Sequence, residues 1–198
     1  MPQLSYYTAS TKVLGPGNRF AVWFQGCKKN CIGCINPQGR IIGGGFYLSV
    51  DELADKITAT KNITGLTISG GEPFLQAEEL AALLTKVKAK RNLDVIVYSG
   101  YRYVELLKIH GKKIFDFIDI LIDGEYIEAE NNNTPFIGSD NQQIVFLTEK
   151  GKTLESNFKK TKTRDVEMEI TKDAEIFLIG IPPKNFYDTL LQKLAIET

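Results

Sequence analysis

Histidine and cysteine are scarce in this 198-residue sequence. The one histidine, His110, excludes metal sites built from several histidines and mechanisms that use two of them. The three cysteines all lie between residues 27 and 34. An odd, clustered set is a poor disulfide framework, and it indicates a metal site in a reducing compartment.

The sequence also lacks an excess of charge of either sign and any long apolar run. Lys plus Arg and Asp plus Glu both total 24, so a basic nucleic-acid footprint is not expected. No run approaches the roughly eighteen apolar residues that a membrane span needs. The start, Met1-Pro2-Gln3-Leu4-Ser5, has neither the basic nor the apolar region of a signal peptide, and we expect a cytoplasmic protein.

Short apolar runs alternate with amphipathic segments along the chain. The runs predict strands at 19–25, 63–69, 94–98, 118–122, 143–147, 166–170 and 176–181. Helices are predicted at 49–60, where Ser49 opens a capping box, and at 76–91, 101–110 and 184–195. The polar stretch 125–142 is predicted to form loops.

This alternation indicates crossover units and a parallel sheet. A complete eight-unit barrel takes about 250 residues, more than this chain has. We therefore expect an α/β fold, a partial (incomplete) β/α barrel of about five to six units with a mostly parallel sheet. It forms a single domain, 1–198, with a core at about 15–147 and a C-terminal extension at 148–198. The lysines of the extension are partly balanced by acidic residues, which favours a solvated face over a partner-docking element.

Ligand sites in parallel α/β folds gather at the C-terminal ends of strands, where four polar or glycine-rich loops follow the first four predicted strands. The first loop carries Cys27, Cys31 and Cys34. Thiolates select zinc, copper(I) or iron–sulfur clusters, and a closed cubane cluster takes four cysteines. Three cysteines would leave one iron open to a substrate or cofactor. The alternative is a structural zinc site with His110 as fourth ligand, which is weaker because that residue lies far along the chain.

The other three loops offer groups suited to a small ligand. Gly70-Gly71-Glu72 would let backbone carbonyls approach an ammonium group and add a carboxylate beside it, although an ordinary turn has the same composition. Ser99 supplies a hydroxyl, or alternatively an N-cap for the next helix. Asp123 could accept hydrogen bonds from ribose hydroxyls, or simply form a turn with Gly124.

The spacing Cys27-x3-Cys31-x2-Cys34 resembles the signature of the radical S-adenosylmethionine (SAM) superfamily. The resemblance implies a [4Fe-4S] cluster with these three cysteine ligands and SAM on the fourth iron. Glycyl radical activases are the most similar branch, and the activating proteins of anaerobic ribonucleotide reductase are the closest within it. The segments that carry this similarity are Gly15–Phe20, Gln25–Cys27, Cys34–Pro37, Tyr98–Tyr101, Asp119–Glu125 and Ile137–Gln143.

The resemblance also assigns the remaining site residues. Gly70, Gly71 and Glu72 would bind the amino group of SAM, and Ser99 and Asp123 would lie near the cofactor and its ribose. Gly33 and Ile35, which flank the last cysteine where family members often have an aromatic residue, would also contact the cofactor.

The implied reaction is reductive cleavage of SAM to a 5′-deoxyadenosyl radical, which takes hydrogen from a backbone glycine. No side chain need act as a catalytic acid or base, because the cofactor carries the radical. The implied partners are the large subunit of anaerobic ribonucleotide reductase and an electron donor such as a flavodoxin or ferredoxin, with no nucleic acid and no membrane. Two alternatives stay open, a stand-alone radical SAM enzyme that modifies a peptide or small molecule, and a non-catalytic zinc or electron-carrier protein.

Overall fold

The computed structural model of the protein describes residues 1–170 and 176–195. Its strands are β1 (Gln3–Thr11), β2 (Arg19–Phe24), β3 (Phe46–Tyr47), β4 (Gly65–Gly70), β5 (Asp94–Ser99), β6 (Ile120–Asp123), β7 (Gln143–Phe146), β8 (Val166–Ile170) and β9 (Ile176–Gly180). Its helices are α1 (Val50–Ala59), α2 (Ala77–Lys90), α3 (Tyr103–His110), α4 (Glu149–Thr153), α5 (Glu155–Lys160) and α6 (Phe186–Ala195). In the part of the chain that the structure describes, no helix has the length and apolar character needed to cross a lipid bilayer.

A seven-stranded sheet in the order β3-β1-β2-β4-β5-β6-β7 organises the chain. Its central strands β2, β4, β5 and β6 are parallel and are joined by crossovers that contain α1, α2 and α3, which confirms the predicted mixed α/β architecture. The parallel part has four strands, fewer than the expected five to six units, because β1 and β7 pair antiparallel with their neighbours. Among the described residues, β3 and β7 form the two edges of this sheet, which does not close.

One face of the sheet packs against the crossover helices. Val22, Ile68 and Val97 are fully buried there against the apolar side of α2, which carries Leu80 and Leu84. These helix positions recur at the 3.6-residue period that predicted the helix. The capping box of α1 is confirmed, since Ser49 Oγ accepts from the Glu52 backbone N–H at 3.1 Å and the Glu52 carboxylate accepts from the Ser49 backbone N–H at 2.9 Å.

The opposite face of the sheet is covered by the C-terminal extension and the loops before it. Phe158 of α5 packs edge-on against Phe136 and Phe146, and Phe177 of β9 stacks on Tyr6 at 4.1 Å between ring centroids. Strands β8 and β9 confirm the last two predicted strands, but they pair with each other in a separate two-stranded sheet. The extension therefore contributes a covering layer rather than further units of the main sheet.

A buried ion pair lies at the end of the parallel strands away from the cysteines. Arg19 is fully buried, and its guanidinium forms an ion pair with Asp94 at 2.6 Å. The same group donates to Thr67 Oγ1 at 2.7 Å, to the Pro16 carbonyl at 2.9 Å and to the Leu66 carbonyl at 3.0 Å. These contacts indicate a structural role for the Gly15–Phe20 segment. Its arginine links the beginning of β2 to β4 and β5.

Candidate functional site

The cysteine loop leaves the C-terminal end of β2 and is held there by its backbone. The Gly26 N–H donates to the Gly39 carbonyl at 2.7 Å, and the Cys27 N–H donates to the Arg40 carbonyl at 3.1 Å. Gln25 adds side-chain hydrogen bonds to the carbonyls of Gln38 and Ile41, at 2.9 and 2.7 Å. These hydrogen bonds therefore fold the loop back onto itself without any contribution from the cysteine thiols.

A second set of anchors lies beneath the same loop. The Gln25 N–H donates to the Gln3 carbonyl at 2.9 Å. Gln76 Nε2 donates to the carbonyls of both Gln3 and Gln25, at 2.9 Å each. Three glutamines from separate parts of the chain thus define the base of the cysteine loop.

The three cysteines face one cavity of about 140 Å³. It is lined by Cys27, Lys29, Cys31, Cys34, Arg40, Ser69, Gly70, Gly71, Tyr98, Ser99, Gly100, Gly124, Tyr126 and Gln142. Most of these residues lie at or just after the C-terminal ends of β2, β4, β5 and β6, so the four strand exits meet as the sequence predicted. Parallel strands bring their C-terminal ends to one edge of the sheet, which explains the convergence.

The cavity offers three free, half-buried cysteines as donors to a metal centre. Thiolates hold zinc, copper(I) or iron–sulfur clusters, and in a cubane each cysteine binds a separate iron. His110 instead packs against the Phe74 ring, with 5.6 Å between ring centroids, and does not line the cavity.

The protonation of the thiols bears on metal uptake. Burial raises the pKa of Cys27 and of Cys31, and the Cys31 thiol donates to Glu125 Oε1 at 3.8 Å. These thiols are therefore protonated at neutral pH when no metal is bound. Metal binding must release protons, because thiolates are the ligands.

Tyr98 also lines the cavity, but its buried hydroxyl has no hydrogen-bond partner among the described residues and is under the electrostatic influence of Arg19, at the other end of the parallel strands. The cavity itself offers three free thiols, which fit a cluster.

Gly70 and Gly71 line the cavity, but the structure gives a different reason for their being glycine. A Cβ on Gly70 would collide with the Phe24 backbone, and Gly70 has a φ of +124°, which favours glycine. A Cβ on Gly71 would collide with the carbonyl oxygens of Gly26 and Gly39. The two glycines thus let this part of the backbone approach β2 and the cysteine loop closely, whereas the prediction was a close approach to a ligand.

The carboxylate of Glu72 is fully buried and joins two strand exits. It accepts from the backbone N–H groups of Phe74 and Gly100, at 3.0 and 2.8 Å, and from Ser99 Oγ at 3.0 and 3.1 Å. Burial raises its pKa to about 7, and these hydrogen bonds only partly offset the burial. The side chain is therefore half-protonated near neutral pH.

This shift predicts a pH-dependent stability. The ordinary pKa of Glu72 is 4.5, so between pH 4.5 and about 7 the folded state keeps a proton that the unfolded chain loses. The free energy of unfolding should fall by about 3 kcal/mol over that window and level off above it. Urea unfolding of the cluster-free protein across this range should show the fall in the wild type and not in Glu72→Gln. An identical pH dependence in both proteins would contradict the assignment.

Ser99 and Asp123 use their polar atoms within the protein. Ser99 is bound to Glu72 and accepts from the Tyr101 N–H at 3.1 Å; it does not cap α3, which begins at Tyr103. The Asp123 carboxylate is buried, accepts from the Tyr103 N–H at 2.7 Å and pairs with Arg102 at 3.1 Å. Asp123 thus fixes the start of α3, and it does not line the cavity.

The residues beside the last cysteine lie at the border of the site. Gly33 has a φ of +69°, a left-handed conformation that favours glycine, and Ile35 is 46% exposed. Neither lines the cavity as the structure has it, although Cys34 between them does. Their predicted contact with a cofactor stays a prediction.

Several residues of the cavity wall were not predicted as site residues: Lys29, Arg40, Tyr126 and Gln142. Lys29 Nζ lies 4.3 Å from the centroid of the Tyr101 ring and 3.5 Å from Glu125 Oε2, so it bridges three strand exits. Its position between Cys27 and Cys31 is the sequence feature that could have predicted its place at the site. The other residues are brought in by tertiary structure alone.

The chain matches the family model described as "4Fe-4S single cluster domain" over residues 13–145, which leaves the extension outside the match. Together with the fold and the cysteine loop, this match defines a protein with an iron–sulfur cluster of the radical SAM activase class. Among curated proteins, the chain is 31% identical over 138 residues to the anaerobic ribonucleoside-triphosphate reductase-activating protein of Enterobacteria phage T4, covering 67% of this chain and 86% of the relative. The chain therefore belongs to the family of anaerobic ribonucleoside-triphosphate reductase-activating proteins.

Other relatives agree with this assignment. The protein of the same name from Salmonella typhimurium is 30% identical over 144 residues, which cover 68% of this chain and 92% of the relative. The pyruvate formate-lyase-activating enzyme of Clostridium pasteurianum is 36% identical over 118 residues, covering 56% of this chain and 50% of the relative. The family match favours an iron–sulfur cluster over the zinc alternative.

Proposed function

We propose that this protein is the activating enzyme of an anaerobic ribonucleoside-triphosphate reductase and generates a glycyl radical on the large subunit of that reductase. The observation that carries the proposal is the convergence of three free cysteines with Gly70 and Gly71 on one cavity, in a chain of this family. When bound, the cluster and SAM supply one-electron cleavage of a carbon–sulfur bond and the 5′-deoxyadenosyl radical that takes a hydrogen atom from glycine.

In this proposal Cys27, Cys31 and Cys34 would hold a [4Fe-4S] cluster, and SAM would bind in the same cavity. The thiolates add negative charge, and Lys29 and Arg40 line the same cavity with positive charge that offsets it. Gly70 and Gly71 present backbone at the cavity wall for the ammonium group of SAM. Glu72 contributes a carboxylate behind these two glycines. The ammonium group of SAM would favour the charged form of that carboxylate.

Ser99 and Asp123 act as positioning residues rather than as direct ligands in this proposal. Ser99 fixes the Glu72 carboxylate, and Asp123 fixes the turn that brings Gly124 to the cavity. Gly33 and Ile35 shape the loop around Cys34 and shield that side of the cofactor. No side chain is required as an acid or base, because the reaction moves a hydrogen atom and an electron. The electron comes from a reduced carrier such as a flavodoxin or ferredoxin.

The test is anaerobic. Reconstituted protein, dithionite, SAM and the large reductase subunit are mixed, and electron paramagnetic resonance (EPR) is used to look for a glycyl radical. We expect a radical signal on the reductase, together with 5′-deoxyadenosine and methionine. The control is a reductase in which the reacting glycine is replaced by alanine. A competent reductase that stays EPR-silent would refute the assignment, and 5′-deoxyadenosine formed only with a peptide or small molecule would favour the stand-alone enzyme instead.

A further inference from the structure

Exposed apolar side chains are concentrated next to the cysteine site. Fifteen large apolar side chains are exposed in the described part of the chain, and six of them lie within the sixteen residues 32–47. We call these six the apolar rim: Ile32, Ile35, Ile41, Ile42, Phe46 and Tyr47. Ile42 and Tyr47 are 67% and 61% exposed. Exposed apolar side chains grouped beside a cavity favour an interaction site.

The apolar rim belongs to a segment that is fixed in place. The Ile41 carbonyl accepts from Gln25 Nε2 at 2.7 Å and from the Gly44 N–H at 3.3 Å. The Leu48 N–H donates to the Pro2 carbonyl at 3.3 Å. Backbone groups of this segment thus form hydrogen bonds with the rest of the protein, while the apolar side chains of the rim stay exposed.

The apolar rim also includes an edge of the sheet. Strand β3, which is Phe46–Tyr47, pairs with β1 on one side, and its other side has no partner strand among the described residues. An unpaired edge offers backbone N–H and C=O groups to an extended segment of another chain. Main-chain and apolar contacts are therefore available side by side.

The apolar rim is continuous with the cavity that holds the cysteines. Arg40 lines the cavity and precedes Ile41 directly, and a Cβ on Gly26 would touch the Ile42 side chain at 3.2 Å. A protein whose glycine reaches the cavity must place its flanking residues on the surface beside it.

We propose that the apolar rim is the docking surface for the protein substrate, namely the extended, apolar segments on either side of its reacting glycine. This inference rests on the proposed function. The composition favours the protein substrate over the electron donor, since residues 32–47 contain a single charged side chain, Arg40, and charge complementarity is what steers the encounter of charged partners. An apolar centre with main-chain hydrogen bonds beside it suits a shape-fitted polypeptide.

The experiment places a charge on the apolar rim without touching the cluster or the cavity. Ile42→Lys and Tyr47→Lys are made singly and together, and Ile109→Lys on α3 is the matched control, because Ile109 is 63% exposed and lies at the far end of that helix. Three quantities are measured for each protein: partner-free formation of 5′-deoxyadenosine with dithionite, affinity for the large reductase subunit, and yield of the glycyl radical by EPR.

We expect partner-free cleavage of SAM within about twofold of wild type in all variants. The double variant should lose at least tenfold in affinity, about 1.4 kcal/mol or more, and lose glycyl radical yield in parallel. The Ile109→Lys control should match the wild type. Wild-type affinity and radical yield in the double variant would overturn the docking surface while leaving the proposed function intact. A change confined to self-association, seen by light scattering, would also overturn it. A wild-type protein that gives no glycyl radical would instead refute the proposed function.

Discussion

A Cys31→Ala variant should hold markedly less iron after anaerobic reconstitution and form no detectable 5′-deoxyadenosine. Cys31 lies in the middle of the loop and lines the cavity with Cys27 and Cys34. Two thiolates cannot hold three irons of a cubane, and the protein offers no spare cysteine, since the chain contains only three. The loss should therefore be nearly complete. Iron and sulfide analysis, the visible absorption of the cluster and chromatography of the nucleoside product measure it.

The matched control for this variant is His110→Asn. If the centre were zinc with His110 as fourth ligand, this change would reduce metal content as Cys31→Ala does. We expect His110→Asn to keep iron content and SAM cleavage at wild-type levels, because His110 packs against Phe74 and lies outside the cavity wall. Cleavage of SAM by Cys31→Ala would refute the ligand assignment.

Gly71→Ala should destabilise the cluster-free protein by about 3 kcal/mol and lower its capacity for iron. The added Cβ would collide with the carbonyl oxygens of Gly26 and Gly39, which belong to the backbone of the cysteine loop and cannot rotate away. The Glu72 N–H also donates to the Gly26 carbonyl at 2.8 Å, so displacing the loop loses hydrogen bonds as well. Overpacking a close contact typically costs about 1–3 kcal/mol, and an unpaired buried N–H adds to it.

Gly43→Ala is the control for this substitution. Gly43 has a φ of +80° and open space around it, so an alanine there meets backbone strain alone, at about 1 kcal/mol. Urea unfolding and iron content after reconstitution distinguish the two. Equal stability of the two variants would show that the contact between Gly71 and the cysteine loop is unimportant.

The buried elements of the fold could be predicted because burial leaves a periodic pattern. Leu80, Leu83, Leu84 and Val87 recur at helical spacing, and all four are buried on α2. Strand β1 was missed, since Gln3–Thr11 is mostly polar and half-exposed and shows no apolar alternation. Strand direction was also not predictable for β7, because the apolar pattern of a strand is the same whichever way it pairs.

The candidate site could be predicted as a set of strand exits but not as a set of contacts. Topology alone brings loops after parallel strands together, and this placed the cysteine loop beside Gly70 and Gly71. Whether Glu72 binds a ligand or the protein depends on where the N–H groups of Phe74 and Gly100 point, which no sequence spacing encodes. The atoms that a Cβ on Gly71 would meet likewise depend on tertiary packing, which the sequence pattern does not show.

The anchors of the cysteine loop have a consequence for how the protein matures. The hydrogen bonds from Gln25, Gln76 and the Gly26 and Cys27 backbone N–H groups involve no thiol, and they join parts of the chain as distant as residues 3 and 76. Zinc-finger peptides behave oppositely, since they are unstructured until metal arrives. Because these hydrogen bonds need no thiol, we expect iron and sulfide to be inserted into a polypeptide that is already folded. Removal of the cluster by a chelator should then leave a folded apoprotein that can be reconstituted.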